Sequence, residues 1–291
     1  MIQWYFLALT SALFSATAAI FEKKALFKEN ALSFSTLFAI FNLILAIPFF
    51  FFTDFSTLTT SGLLVLFIKS FLGALAFLCV MLGIKNLELS NALPLLVLTP
   101  GLVALGALIF LQESLTQFEI LGMFLLLAGT YVLQLKQNQK FIDPIKSLFK
   151  SKGYYYIIIA LILFTTTSIL DKALLKNFKV PVNGFMAFQH LFLAIIFITF
   201  LLSTRKTKDL KHSIKHSWKI ILTISILTII YRYTQIHAVK IAPVALVLSI
   251  KRISVFFAVI IGGRLFKEHN LITKAIATAI MTAGAILVIV Y

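Results

Sequence analysis

The sequence predicts an all-α integral membrane protein: ten transmembrane helices in two inverted five-helix repeats. Three observations carry that reading. Hydrophobic residues make up 60% of the 291 residues and charged residues only 12%, whereas soluble domains run nearer half and a quarter. Apolar runs of about 20 residues, the length of one helical crossing, recur ten times. The second half of the chain also repeats polar landmarks of the first. With a mean hydropathy of +1.03, a soluble enzyme, a secreted disulfide scaffold and a disordered chain are all excluded. The single cysteine, Cys79, has no internal partner for a bridge.

The first run, 4–21, lacks a basic start and follows Met1-Ile2-Gln3 with Trp4-Tyr5. Those aromatics suit a membrane interface, so the run reads as a spanning helix and not as a cleaved signal peptide. Runs 31–52, 61–83, 89–111 and 117–135 complete the first half. The second half holds 153–171, 182–203, 217–238, 241–262 and 271–291. Helices are the form that satisfies so much backbone in lipid, and the runs are too long for barrel strands. The division is therefore 1–135 and 153–291, joined by a basic connection at 136–152.

Two connections carry basic clusters. In 136–152, Asp143-Pro144 marks a helix start with Ile145, Leu148 and Phe149 on one face. In 204–219, Leu210, Ile214 and Trp218 recur every four residues among Arg205, Lys206, Lys208, Lys211, Lys215 and Lys219. Both read as short helices lying on the membrane surface. His212 and His216 share metal-ligand spacing, but a solvated polar face accounts for them. No metal and no cofactor are expected.

The net charge of +16 serves orientation, with no nucleic-acid motif beside it. The connections after helices 1, 3, 5, 7 and 9 hold 17 lysines and arginines, and the even-numbered connections hold four. The positive-inside rule then places both termini outside. An impermeant thiol reagent applied to intact cells should leave a cysteine introduced at position 140 unlabelled; ready labelling would reverse the orientation.

The repeat rests on fixed offsets. At 155, Gly83-Ile84-Lys85 meets Ala238-Val239-Lys240, Glu113 meets Glu268, and Ala128-Gly129 meets Ala283-Gly284. At 148, Lys24-Ala25-Leu26 meets Lys172-Ala173-Leu174, and Asn42 meets His190. The offset changes at the 204–219 connection, where an insertion costs little. An odd number of helices per copy forces the second copy to insert upside down, the logic of secondary transporters.

Five-plus-five helices, the stretch from Leu93-Pro94 through Pro100 to Glu113, and the matching stretch ending Phe266-Lys267-Glu268 resemble the drug/metabolite transporter superfamily, EamA type. Gly122, Ala128, Gly129 and Gly284 match the small residues of that family's fifth and tenth helices. The resemblance implies a metabolite carrier working by alternating access, and it implies termini inside, against the charge count.

Ionisable residues inside spans mark cavities or partners. Arg232 lies in the eighth run, and Lys251-Arg252 lies in the middle of the ninth, at nearly equal depth across the hairpin. Unpaired, these three would cost on the order of 7–10 kcal/mol. They are the first candidates for a substrate site, with Gln189, His190 and Asn42. Arg252 leads, because a guanidinium grips a carboxylate bidentately. Asp171, Lys172, Glu22 and Lys23 are candidate gate residues or charge partners. Lys69 reads as a snorkelling residue, and Glu113 and Glu268 read as caps of the turns after their helices. The cavity is expected between helices 1, 3, 4, 6, 8 and 9.

Lys251-Arg252 also resembles the ninth-helix Lys-Arg pair that grips phosphate in plastid triose-phosphate translocators. Their companion lysine, four residues before a fourth-helix proline, corresponds here to Leu96. Its absence points to a carboxylate.

The sequence thus predicts a multi-pass carrier in a cell membrane, the prokaryotic inner membrane. Its partners are the bilayer, a small anionic metabolite, and a coupling ion or exchanged metabolite. It acts as a monomer or homodimer. One alternative is a carrier of amphipathic or aromatic amino compounds in which the cations are structural. Alternatives of another class are an intramembrane enzyme and a non-transporting scaffold. HExxH, GxSxG and paired intramembrane carboxylates are all missing from the sequence, so it does not read as an enzyme.

Overall fold

A computed structural model describes residues 3–86, 99–134, 152–204, 207–254 and 271–290. No strand occurs among them. In chain order the helices are α1 (Trp4–Leu26), α2 (Ala31–Phe51), α3 (Thr60–Asn86), α4 (Thr99–Leu111), α5 (Gln117–Gln134), α6 (Lys152–Lys176), α7 (Val182–Ser203), α8 (Thr207–Ile241), α9 (Val244–Lys251) and α10 (Leu271–Val290). Of these, α1, α2, α3, α6, α7 and α8 are long and apolar enough to cross a membrane, and α4, α5 and α10 contain shorter apolar helices. The basic helix expected around Asp143-Pro144 and the stretch holding Glu268 lie outside the described residues.

Local chemistry sets several helix starts. The Asn30 carboxamide accepts the Leu32 N–H at 3.0 Å and opens α2. Pro181 and Pro243 stand at the N-caps of α7 and α9, where a missing N–H costs nothing. Between α2 and α3, Asp54 caps a single 3-10 turn by accepting the Ser56 N–H at 3.0 Å and its hydroxyl at 2.6 Å. The two hydrogen bonds hold this carboxyl below the ordinary carboxylate range.

The structure corrects the expected surface helix at 204–219. From Thr207 the chain is already helical and runs unbroken to Ile241 as α8, 35 residues long. Ser213 and Ser217 explain the continuity. Both donate hydroxyl hydrogen bonds to the buried Glu29, in the α1–α2 turn, and so dock this stretch against the bundle. His212 and His216 stack at 4.3 Å on its exposed face. The first and sixth helices also run past their apolar runs, to Leu26 and Lys176. Glu22, Asp171 and Lys172 are therefore buried inside helices and do not sit at exposed interfaces.

The main helix pairings are α1 with α8, α3 with α6, α2 with α7, and α5 with α10; α4 packs on α6, and α9 on α1 and α4. The α5–α10 pair is glycine-mediated. A Cβ at Gly122 would stand 2.7 Å from the Gly284 carbonyl oxygen, and one at Gly284 would stand 2.7 Å from that of Gly122. Small residues let membrane helices approach this closely. Gly122→Ala should therefore lower the melting temperature in detergent, at about 1–3 kcal/mol of overpacking. An unchanged melt would show that the two backbones part freely.

The turns define two ends of the bundle. The α2–α3, α4–α5, α6–α7 and α8–α9 turns share one end with a dense apolar core that includes Phe185, Met186, Ile236 and Val247. Nearer the α1–α2 turn, Phe34, Phe38 and Phe77 form a second apolar cluster.

Candidate functional site

Between those clusters lies a cavity of about 270 Å³, lined from α1, α2, α3, α4, α6, α7, α8 and α9 and from Arg252 and Ser254 just beyond α9. Helices α2 and α7 thus contribute beyond the six expected from sequence. Their inward residues are Phe38, Ala39 and Asn42 on α2, and Gln189, His190, Leu193 and Phe197 on α7.

One carboxylate and two carboxamides organise the cations. Asp171 on α6 pairs with Lys69 on α3 at 2.7 Å and with Arg232 on α8 at 3.4 Å. The Gln189 carbonyl oxygen accepts from both partners, at 2.7 Å from the Arg232 guanidinium and also from the Lys69 ammonium. The Gln235 carbonyl oxygen accepts from Arg232 at 3.3 Å and from Lys251 at 2.6 Å. Lys69 also lies over the Phe185 ring at 4.8 Å, and Lys251 over the Tyr231 ring at 4.6 Å. This corrects the snorkelling expected of Lys69. Its side chain is 5% exposed, because its aqueous shell is replaced by Asp171, Gln189 and an aromatic face.

The remaining predicted residues fall into three groups. Arg252 lines the cavity, and its guanidinium makes no hydrogen bond or ion pair with another described residue. Asn42 donates to the Phe38 carbonyl at 2.7 Å, and neither ring nitrogen of buried His190 has a hydrogen-bond partner among the described residues. The rest lie off the cavity: Glu22 is buried on α1, and Lys23 lies over the Phe27 ring at 5.0 Å. Lys172 joins a separate node at the α6–α7 end. Its ammonium donates to the carbonyls of Val239 (2.7 Å) and Ala242 (2.8 Å), where α8 ends, and pairs with Glu113 at 3.3 Å. Glu113 in turn accepts the Val244 N–H at 3.1 Å. It therefore caps the start of α9 and not the turn after its own helix. Each charge neutralises a helix end of opposite polarity.

Sequence reasoning missed Lys69, Gln235 and Tyr231 as cavity residues. Gln235 had one available signal: it follows Arg232 by three positions, so the two share a helix face.

Among the described residues, four cations (Lys69, Arg232, Lys251 and Arg252) thus line the cavity, with Asp171 the sole carboxylate. A cavity of that size and charge excess, set among helices apolar enough to cross a membrane, is the internal pocket of a multi-pass membrane protein. Comparison with family profiles agrees. Residues 2–135 and 151–290 match the EamA-like transporter family, and the chain belongs to that family, whose members are membrane transporters and not enzymes. Solved structures share the fold. One crystal structure of a protein is similar at a TM-score of 0.72 with 16% sequence identity, covering 98% of this chain and 95% of that one. Comparison with curated proteins finds no match.

Proposed function

We propose that this chain is a secondary carrier of a small metabolite bearing a carboxylate or other anionic group, and that it works by alternating access. The observation that carries the reading is the charge imbalance of the cavity. Asp171 engages Lys69 and Arg232, leaving Lys251 hydrogen-bonded to a neutral carboxamide with the buried Glu22 carboxyl acting on it through space, and the Arg252 guanidinium without a hydrogen bond or ion pair to a described residue. An uncompensated cation in a spanning helix costs roughly 2.5–3.5 kcal/mol, and a bound anion offsets that cost.

Alternating access draws its support from symmetry. Exchanging each helix with the one five places on turns the α1–α8 pairing into α6–α3 and the α1–α9 pairing into α6–α4, and it maps α2–α7 and α5–α10 onto themselves; all of these pairings occur. That exchange supports a reading of two five-helix repeats related by an axis in the membrane plane, with the site between them.

The test is flux into proteoliposomes carrying the purified chain, using a panel of labelled organic anions, amino acids and amines. Saturable uptake of an anion that unlabelled anions suppress is the expected result. Uptake confined to amines would instead establish the alternative in which the cations are structural, an alternative favoured by the Asp171 pairing alone.

A further inference from the structure

The cavity is polarised along its length. On α3 the lining residues Lys69, Gly73 and Phe77 recur every four positions on one face. On α7, Gln189, Leu193 and Phe197 do the same. On α6 the order is reversed, from Phe164 through Thr167 and Ser168 to Asp171, and on α2 it runs from Phe38 to Asn42. Four helices therefore place their polar groups at one level and a phenylalanine at the other. Eight residues separate the levels on α3, roughly 12 Å of helix rise. Phe38 and Phe77 stack at 5.0 Å, and Phe197 meets Phe77 edge-on at 6.2 Å. Gly73 stands midway, with nothing within 4 Å of where a Cβ would be.

We propose that the site takes a monocarboxylate with a flat aromatic body and no ammonium group. This rests on the anion reading above and narrows it. The carboxylate meets Arg252 and Lys251, and the ring lies among Phe38, Phe77, Phe164 and Phe197, where offset or edge-on contacts stabilise it. Among the described residues, the free acceptors an ammonium group would meet there, such as Asn42 Oδ1, are neutral. Asp171 already engages two cations, so an amino acid brings a fifth positive charge beside the four present, and like charges in a desolvated site repel. The cavity volume of about 270 Å³ lies just under the range of drug-sized pockets, which suits one ring and a short acid tail.

Uptake by proteoliposomes of the full chain separates the possibilities, with phenylpyruvate, phenylalanine, pyruvate and malate as probes. Phenylpyruvate should be preferred at least about tenfold over each of the other three, since one lost buried charge partner or one ring is worth that much or more. Gly73→Leu, which projects into open space, should suppress phenylpyruvate uptake more than pyruvate uptake while leaving the melting temperature unchanged. Phe77→Ala should reduce the preference for phenylpyruvate over pyruvate. Equal or better uptake of malate or pyruvate would overturn the aromatic assignment and leave the anion carrier standing. Better uptake of phenylalanine would overturn the exclusion of ammonium. Uptake of none of the three anions, with amines carried, would remove both this proposal and the reading beneath it.

Discussion

Arg252→Gln is expected to abolish anion uptake while the protein still folds. The guanidinium lines the cavity and makes no hydrogen bond or ion pair with another described residue, so the neutral side chain breaks no described contact. A charge-assisted hydrogen bond contributes about 1.5–3 kcal/mol, and a bidentate pair adds a second bond with fixed geometry. Losing it lowers affinity at least about tenfold, and more if both bonds form. Arg252→Lys keeps the charge but removes the planar fork, so its uptake should fall between those of wild type and glutamine. Without ligand, the lysine variant should melt close to wild type and the glutamine variant no lower, because it removes an uncompensated cation. Normal flux by the glutamine variant would remove Arg252 from the site.

Asp171→Asn should have the opposite signature, a large loss of stability. Asp171 and Lys69 are each 5% exposed at the side chain, and Arg232 is 17% exposed. Removing the carboxylate they share leaves two cations facing each other across Gln189. Breaking a buried pair by deleting one partner costs about 3–5 kcal/mol. In detergent this should appear as a marked drop in melting temperature and yield. Combining Asp171→Asn with Lys69→Met should recover much of the loss, because the stranded ammonium goes with its partner and Arg232 keeps Gln189 and Gln235. A single variant as stable as wild type would mean that water reaches the pair freely.

How much of this was legible in the sequence depended on the range of the signal. Hydropathy is a sum over about twenty neighbours, so the helices α2, α7 and α10 start where their apolar runs do. Helix ends were less legible. Glu22, Asp171 and Lys172 look like stop signals to a hydropathy window, yet α1 and α6 continue through them because each charge meets a partner or a buried setting inside the bundle. The 204–219 stretch misled for the same reason: its lysines advertise a surface, while the two serines that dock it on Glu29 carry no local signature. At the cavity, Arg232, Lys251 and Arg252 stood out as cations in apolar runs. Lys69 did not, because the carboxylate that explains it lies 102 positions away. Gln235 was silent, since an amide in a helix signals nothing until its neighbours are known.

Helix α8 has one more property. Its 35 residues extend roughly 52 Å at 1.5 Å per residue, far beyond a hydrocarbon core of about 30 Å. The overhang bears Lys211, Lys215 and Lys219, and the same rod carries Arg232 and Gln235 into the cavity. Anionic headgroups attract such lysines by about 1 kcal/mol each. A pull applied at the membrane surface would therefore act, through one continuous helix, on two residues of the cavity wall.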